Sequence, residues 1–281
     1  MYKNIDKQNM HDAIWSFPDN LLEALKLGEN VTFSQDYGEI ENIIISGMGG
    51  SAIGGDVLNT IEENSLKVPC LVLRRYELPS WVNSKTLVIC SSYSGNTEET
   101  LSTFNNALQK GAKVIGITTG GKLKDRMINL KKDVVTIPSG LQPRAALAYS
   151  FVPMIKVLQK LNLVVSNIDK WLPESVISLK EKRNLYSKGF KDNPTFELAK
   201  RIRNKIPIIY SDSSTLQVAA VRLKGQICEN SKMLCYHNEL PELNHNEIVG
   251  WENNHQSYKN LCLIWLLDSS DNSRVKIRYD I

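Results

Sequence analysis

The chain has 281 residues, 42% of them hydrophobic, enough apolar material to bury a substantial core as one large domain or two smaller ones. Lys plus Arg exceed Asp plus Glu by 34 to 30, and the net charge of +4 fits a mixed, solvated surface, which argues against nucleic acid or a membrane surface as a partner. No apolar run approaches the roughly 20 residues of a membrane-spanning helix, and the first residues lack the basic-then-apolar layout of a signal peptide, so a cytoplasmic protein is expected.

The opening stretch carries Met10, Ile14, Phe17, Leu21, Leu22 and Leu25 at helical spacing, with Pro18 interrupting it, and predicts one helix or two packed on a larger body. Asn42–Ser46 (NIIIS) reads as a buried strand that ends in Gly47, Gly49 and Gly50 and leads into a helix over 51–63. Cys70–Leu73 is a second strand and Thr86–Ser91 a third, followed by a polar loop. A helix then starts at Glu98, with Leu101, Phe104 and Leu108 on one face, and Gly111 is its natural stop. A strand at 114–118, a Lys-rich helix at 123–130, a strand at 134–138 and a helix at 147–163 complete the first half.

Uniformly apolar strands alternating with helices predict a parallel sheet covered on both faces. The polar span 166–193 reads as the connection between halves. The same logic restarts with a strand at 206–210, a turn at 211–214 and a helix at 216–229, with further strands at 232–236, 261–267 and 273–279. The expected organisation is α/β, in two related subdomains at 1–165 and 194–281.

The five cysteines, Cys70, Cys90, Cys228, Cys235 and Cys262, are odd in number and scattered, mostly in apolar runs, and read as small core residues, not as disulfides. His11, His237, His245 and His255 have no paired spacing with cysteine, so no structural metal is expected.

Residues 91–100 (SSYSGNTEET) carry the strongest chemical signal. They lie where a buried strand turns into an amphipathic helix, so free backbone N–H groups and the positive end of the helix dipole favour an anion. Ser92, Ser94 and Thr97 add hydroxyl donors, and Gly95 allows close backbone approach. There is no Gly-Lys-Ser/Thr ending, which excludes the nucleotide P-loop. A plain helix cap accounts for Thr97 and the acids behind it, but not for three hydroxyls around a glycine. The pattern predicts a binding loop for the phosphate of a small metabolite, a sugar phosphate above all.

The cluster at 47–56 (GMGGSAIGGD) admits a dinucleotide fingerprint through Gly47, Gly49 and Ala52, but the next strand runs into Arg74 and Arg75 instead of the acid that would hold a ribose. The preferred reading is that Gly49, Gly50 and Ser51 give access to the sugar beside the phosphate loop.

Together the two motifs resemble the sugar isomerase (SIS) domain, and three further segments resemble the bifunctional phosphoglucose/phosphomannose isomerases. Residues 142–146 (QPRAA) are similar to that family's Pro-Arg-Ala segment, Cys228-Glu229-Asn230 to its helix-terminal Glu-Asn, and 241–247 (PELNHNE) followed by Gly250-Trp251-Glu252 to its Asn-His-Asn-Glu stretch. The resemblance runs from about residue 10 to the end. It implies two SIS-type subdomains, each a parallel sheet flanked by helices. It also implies phosphate contacts at Ser92, Ser94 and Thr97, and sugar contacts at Gly49, Gly50 and Ser51.

The resemblance further makes Arg144 the arginine beside the reacting carbons, Glu229 the catalytic base and His245 the histidine that opens the ring. A homodimer follows, because in this family the histidine reaches a neighbouring subunit's site. Aldose-ketose interconversion moves a proton between C2 and C1 through a cis-enediol, which one carboxylate can mediate without metal or redox cofactor. A histidine can shuttle the ring-opening proton, and a guanidinium can stabilise the enediolate. Taken singly, Glu229 reads equally as a solvated helix end, His245 as a surface histidine and Arg144 as a surface ion pair; the resemblance, not the spacing, assigns their roles.

Relatives continue past the segment resembling 273–279 into a helical stretch carrying a lysine and a threonine that line the active site, whereas this sequence stops at Ile281. The C-terminal subdomain is therefore expected to be incomplete, to leave an apolar groove exposed and to turn substrate over poorly. The competing expectation is a phosphosugar-binding protein without turnover, or a weakly active truncated relative.

Overall fold

A computed structural model describes residues 5–187, 193–253 and 255–279. The chain forms two units, residues 1–183 and 184–281.

In the first unit the N-terminal periodicity resolves into α1 (Met10–Trp15) and α2 (Phe17–Glu29). Pro18 stands in the first turn of α2, where its missing N–H has no intrahelical partner to lose. The chain then runs through β1 (Asn42–Ser46), α3 (Gly49–Glu62), β2 (Cys70–Leu73), β3 (Thr86–Ser91), α4 (Glu98–Gln109), β4 (Lys113–Thr118), α5 (Gly121–Asn129) and β5 (Asp133–Thr136). A 3-10 turn at Pro143–Ala145 precedes α6 (Leu147–Lys160) and α7 (Ile168–Tyr186). Much of the polar span 166–193 is thus helical. Ile168, Leu172 and Val176 recur every fourth residue and are all buried, so one narrow apolar stripe suffices to dock an otherwise polar helix.

The five strands are all parallel, in the order β2-β1-β3-β4-β5. The chain steps outward from β1 in one direction and returns to continue in the other, so the order reverses between β1 and β3. The loops leaving their C-terminal ends diverge there and open the crevice in which α/β sheets bind ligands. Beneath it, Ile44, Val88, Cys90 and Val114 of the sheet pack with Phe104, Leu123 and Met127 of α4 and α5. Gly55 lets α3 close on Ile45 and Val72, where a Cβ would lie 2.9 and 3.0 Å from their methyls.

The second unit contains α8 (Pro194–Ile202), β6 (Ile206–Asp212) and α9 (Gln217–Gln226), which continues as a π turn at Ile227–Ser231. β7 (Tyr236–Leu240), 3-10 turns at Glu242–His245 and Glu247–Trp251, α10 (His255–Tyr258), β8 (Leu261–Trp265) and α11 (Ser273–Arg278) follow. Its sheet is parallel, in the order β7-β6-β8.

Two elements differ from expectation. The strand expected at 232–236 begins only at Tyr236, because Met233 and Cys235 are spent on packing against α9 and Ile209. The strand expected at 273–279 is α11. Asn272 caps it by accepting from Arg274 N, and Val275 and Tyr279, four apart, pack on the Tyr210–Leu240–Leu243 cluster.

Both units are parallel sheets flanked by helices, and the fold is α/β. All five cysteines are free; burial pushes the thiols of Cys70 and Cys90 up to about 12, where they are inert. Among the described residues no helix is long and apolar enough to cross a membrane.

Candidate active site

β1 and β3 are neighbours in register, Ser46 opposite Cys90, so the segments leaving them, 47–51 and 92–97, emerge side by side at the crevice. The first enters α3 and the second enters α4, and each therefore brings a helix N-terminus to the same rim.

The serine loop is held from within. Ser92, only 2% exposed, donates its N–H to Ile117 O (3.0 Å), and its hydroxyl pairs with that of Thr97 at 2.8 Å. Gly95 N reaches Ser92 O at 3.1 Å, while Ser94 Oγ, on an exposed residue, accepts from Asn96 N at 3.2 Å. Gly95 has φ +68 and a Cβ there would lie 1.7 Å from Gly120 O, so both backbone angle and space demand glycine. Two hydroxyls thus line the inner wall and one stands at the mouth, a donor set suited to an oxyanion.

The glycine segment meets this loop directly, because Ser51 Oγ accepts the N–H of Tyr93 at 3.2 Å. Ser51 is 7% exposed. Gly49, at φ +48 with open space around it, faces solvent. Gly50 lies against the segment that carries Arg144: a Cβ on it would be 2.4 Å from Pro143 O, and Gly50 O accepts Ser150 Oγ of α6 at 3.2 Å. Arg144 itself is half-buried and donates to Gln8 Oε1 at 2.8 Å. The structure therefore brings Gly49, Gly50, Ser51, Ser92, Ser94, Thr97 and the Arg144 turn together in the first unit.

Glu229 and His245 belong to the second unit. Glu229 sits exposed in the π turn that ends α9. The half-buried Arg222, two helical turns earlier, is disfavoured as a cation by burial and favoured by the charge of Glu229. His245 is exposed at the end of the 3-10 turn after β7. The turn is anchored by buried Leu243 and by Glu247, which accepts from Tyr210 OH and Asn238 Nδ2. Glu229 precedes β7 and His245 follows it, so the length of that strand, roughly 15 Å for five residues, lies between them.

The second unit also has a strand-to-helix corner, where β6 enters α9, but its N–H groups are already taken. Asp212, 3% exposed, accepts from the backbone of Ser214 (2.6 Å), Thr215 (3.1 Å) and Leu216 (3.1 Å) and from both hydroxyls, that of Thr215 at 2.9 Å. Burial pushes its carboxyl up, but the bonds from Ser214, Leu216 and Thr215 outweigh this and hold it well below the usual carboxylate range.

Sequence reasoning missed Tyr93, Thr119, Leu141 and Asp212. The first three join the loops by bonds across 26 to 48 residues; an aromatic side chain amid small polar residues was the only local sign.

Residues 191–281 match the family model described as the bacterial phospho-glucose isomerase C-terminal SIS domain. A protein of Caldicellulosiruptor bescii named bifunctional phosphoglucose/phosphomannose isomerase is 46% identical over 276 residues, 97% of this chain and 80% of that one. The chain belongs to the bifunctional phosphoglucose/phosphomannose isomerase family. A member from Aquifex aeolicus is 37% identical over 249 residues, covering 88% of this chain and 73% of its own length. Among solved structures, the C-terminal domain of glucosamine-fructose-6-phosphate aminotransferase from Francisella tularensis superposes with a TM-score of 0.67 at 16% identity, over 95% of this chain and 78% of that one. At that identity the likeness is one of fold.

Proposed function

We propose that the protein is a phosphosugar isomerase that interconverts glucose 6-phosphate, mannose 6-phosphate or both with fructose 6-phosphate. The observation that carries this reading is the convergence of Ser51, Ser92, Ser94, Thr97 and the Arg144 turn at the crevice between β1 and β3. The phosphate is held by the hydroxyls of Ser92, Ser94 and Thr97 at the N-terminus of α4, with the sugar beside Gly49, Gly50 and Ser51. His245 moves the proton that opens the ring. Glu229 takes the C2 proton and returns it to C1 through a cis-enediol, and Arg144 stabilises the enediolate. The two sugars differ only at C2 and give the same enediol, so one site serves both.

The active form is a homodimer in which His245 comes from the partner copy. In support, one second unit carries Glu229 and His245 on opposite sides of β7, a poor arrangement for two groups acting on one sugar.

The test is a coupled assay of fructose 6-phosphate formation from each sugar phosphate. Turnover that disappears in Glu229→Gln supports the reading. Tight binding of both sugar phosphates with no turnover by the parent would replace it with a phosphosugar-binding protein.

A further inference from the structure

Tyr93 lies inside the phosphate loop, yet its bonds leave the loop in three directions. Its N–H donates to Ser51 Oγ at the start of α3 (3.2 Å). Its carbonyl accepts both the N–H (3.1 Å) and the hydroxyl (2.8 Å) of Thr119, beyond β4. Its phenol oxygen accepts the N–H of Leu141 at 3.0 Å, and Leu141 opens the segment in which Gln142 O takes Ala145 N at 2.8 Å to form the turn bearing Arg144. That turn rests on Gly50 on one side and hangs from the Tyr93 phenol on the other.

We propose that Tyr93 is a positioning residue that fixes Arg144 relative to the bound phosphate. The inference rests on the role given above to Arg144. The anion loop and the Arg144 turn come from segments about fifty residues apart and share no backbone ladder, so their mutual geometry depends on a few side-chain links. The phenol is the link that runs directly from the loop to the turn. Its ring is half-buried, and burial raises its pKa, so the oxygen carries its proton at neutral pH and still offers a lone pair to Leu141 N–H.

Tyr93→Phe keeps the ring and its packing but removes the acceptor, which leaves the Leu141 N–H without its partner and the turn free to shift. The expected result is a fall in kcat on the order of tenfold, a share of the roughly hundredfold that a 1 Å misplacement costs. The inhibition constant of inorganic phosphate, reported by the unmoved loop, should change less than twofold.

A loss of general stability would not separate these two numbers, and a double-mutant cycle with Arg144→Ala tests the link itself. Acting through Arg144, Tyr93→Phe has no further effect on kcat in the Arg144→Ala background. An equal loss in both backgrounds, parental kcat in Tyr93→Phe, or phosphate inhibition weakened in step with kcat would overturn the proposal. Parental kcat in Arg144→Ala alone would instead remove the role of Arg144 on which it stands. Thermal unfolding of each variant gives the folded fraction to which kcat is referred.

Discussion

Gly50→Ala offers a sharp test of how the site is assembled. Alanine is a better helix former than glycine by about 1 kcal/mol, and Gly50 lies in the first turn of α3 without a positive φ, so local propensity alone would make the change benign. The structure says otherwise, because the new Cβ would lie 2.4 Å from Pro143 O, whereas ordinary contact begins at 3.4 Å. The opposing atom is backbone, on the turn that carries Arg144, and must retreat by about 1 Å. Displacement of that size in a catalytic group costs on the order of a hundredfold in rate, and overpacking removes about 1–3 kcal/mol of stability. The assay is steady-state isomerisation in parallel with inhibition by inorganic phosphate: kcat/KM should fall about a hundredfold while phosphate inhibition stays within threefold. Parental kcat/KM in a folded Gly50→Ala protein, or an equal loss of phosphate affinity, would refute the argument that glycine is there to admit the Arg144 turn.

Ser94→Ala removes the hydroxyl at the mouth of the loop and should raise KM for sugar phosphate on the order of tenfold, as loss of one charge-assisted bond implies; unchanged KM would take Ser94 out of the site. Glu229→Gln should bind substrate normally yet abolish exchange of the C2 proton with heavy water, read by NMR, since an amide cannot act as base; exchange at the parental rate would end that assignment. Mixing Glu229→Gln and His245→Ala chains, each inactive alone, should restore about a quarter of parental activity on random reassociation of a two-fold dimer with shared sites; a mixture as dead as its parts would exclude sharing. Asp212→Ala should cost about 1–3 kcal/mol at pH 7 by stranding buried donors, read as faster hydrogen exchange in α9. The folded carboxyl titrates below its unfolded value, so its stabilisation is present above about pH 4 and is lost as the pH falls toward the folded pKa, and the gap between parent and variant should narrow in acid.

Much of this architecture was legible because burial on both faces leaves no room for polar residues. NIIIS, CLVL and TLVICS stand out as uniform apolar runs and become β1, β2 and β3 with the expected bounds. The reading failed where apolar residues were sparse. β7 is an edge strand whose His237, Asn238 and Glu239 dilute its pattern, and the more apolar residues just before it serve the α9 packing. In α11, Val275, Ile277 and Tyr279 alternate like a strand, but the face that packs uses only Val275 and Tyr279, leaving Ile277 exposed. Chemistry followed the same rule. The hydroxyls of 92–97 are close together in sequence and could be read there, whereas the bonds from Tyr93 to Ser51 and Leu141 exist only once the strands are ordered.

The carboxylate of Asp212 gives the two units opposite relations to their surroundings. One corner of the chain spends the N–H groups of Ser92, Tyr93, Gly95 and Asn96 within the fold but keeps the Ser94 hydroxyl and the N-terminus of α4 for a charge that arrives from solution, while the other satisfies its donors permanently with a charge of its own. Phosphate in a buffer should therefore act on the chain as a ligand of a single corner. Raising its concentration stabilises the first unit logarithmically, by RT ln(1 + [L]/Kd), and leaves the second untouched. Heated in rising phosphate, the protein should part into two melting transitions, one that climbs with the salt and one that stays where it was.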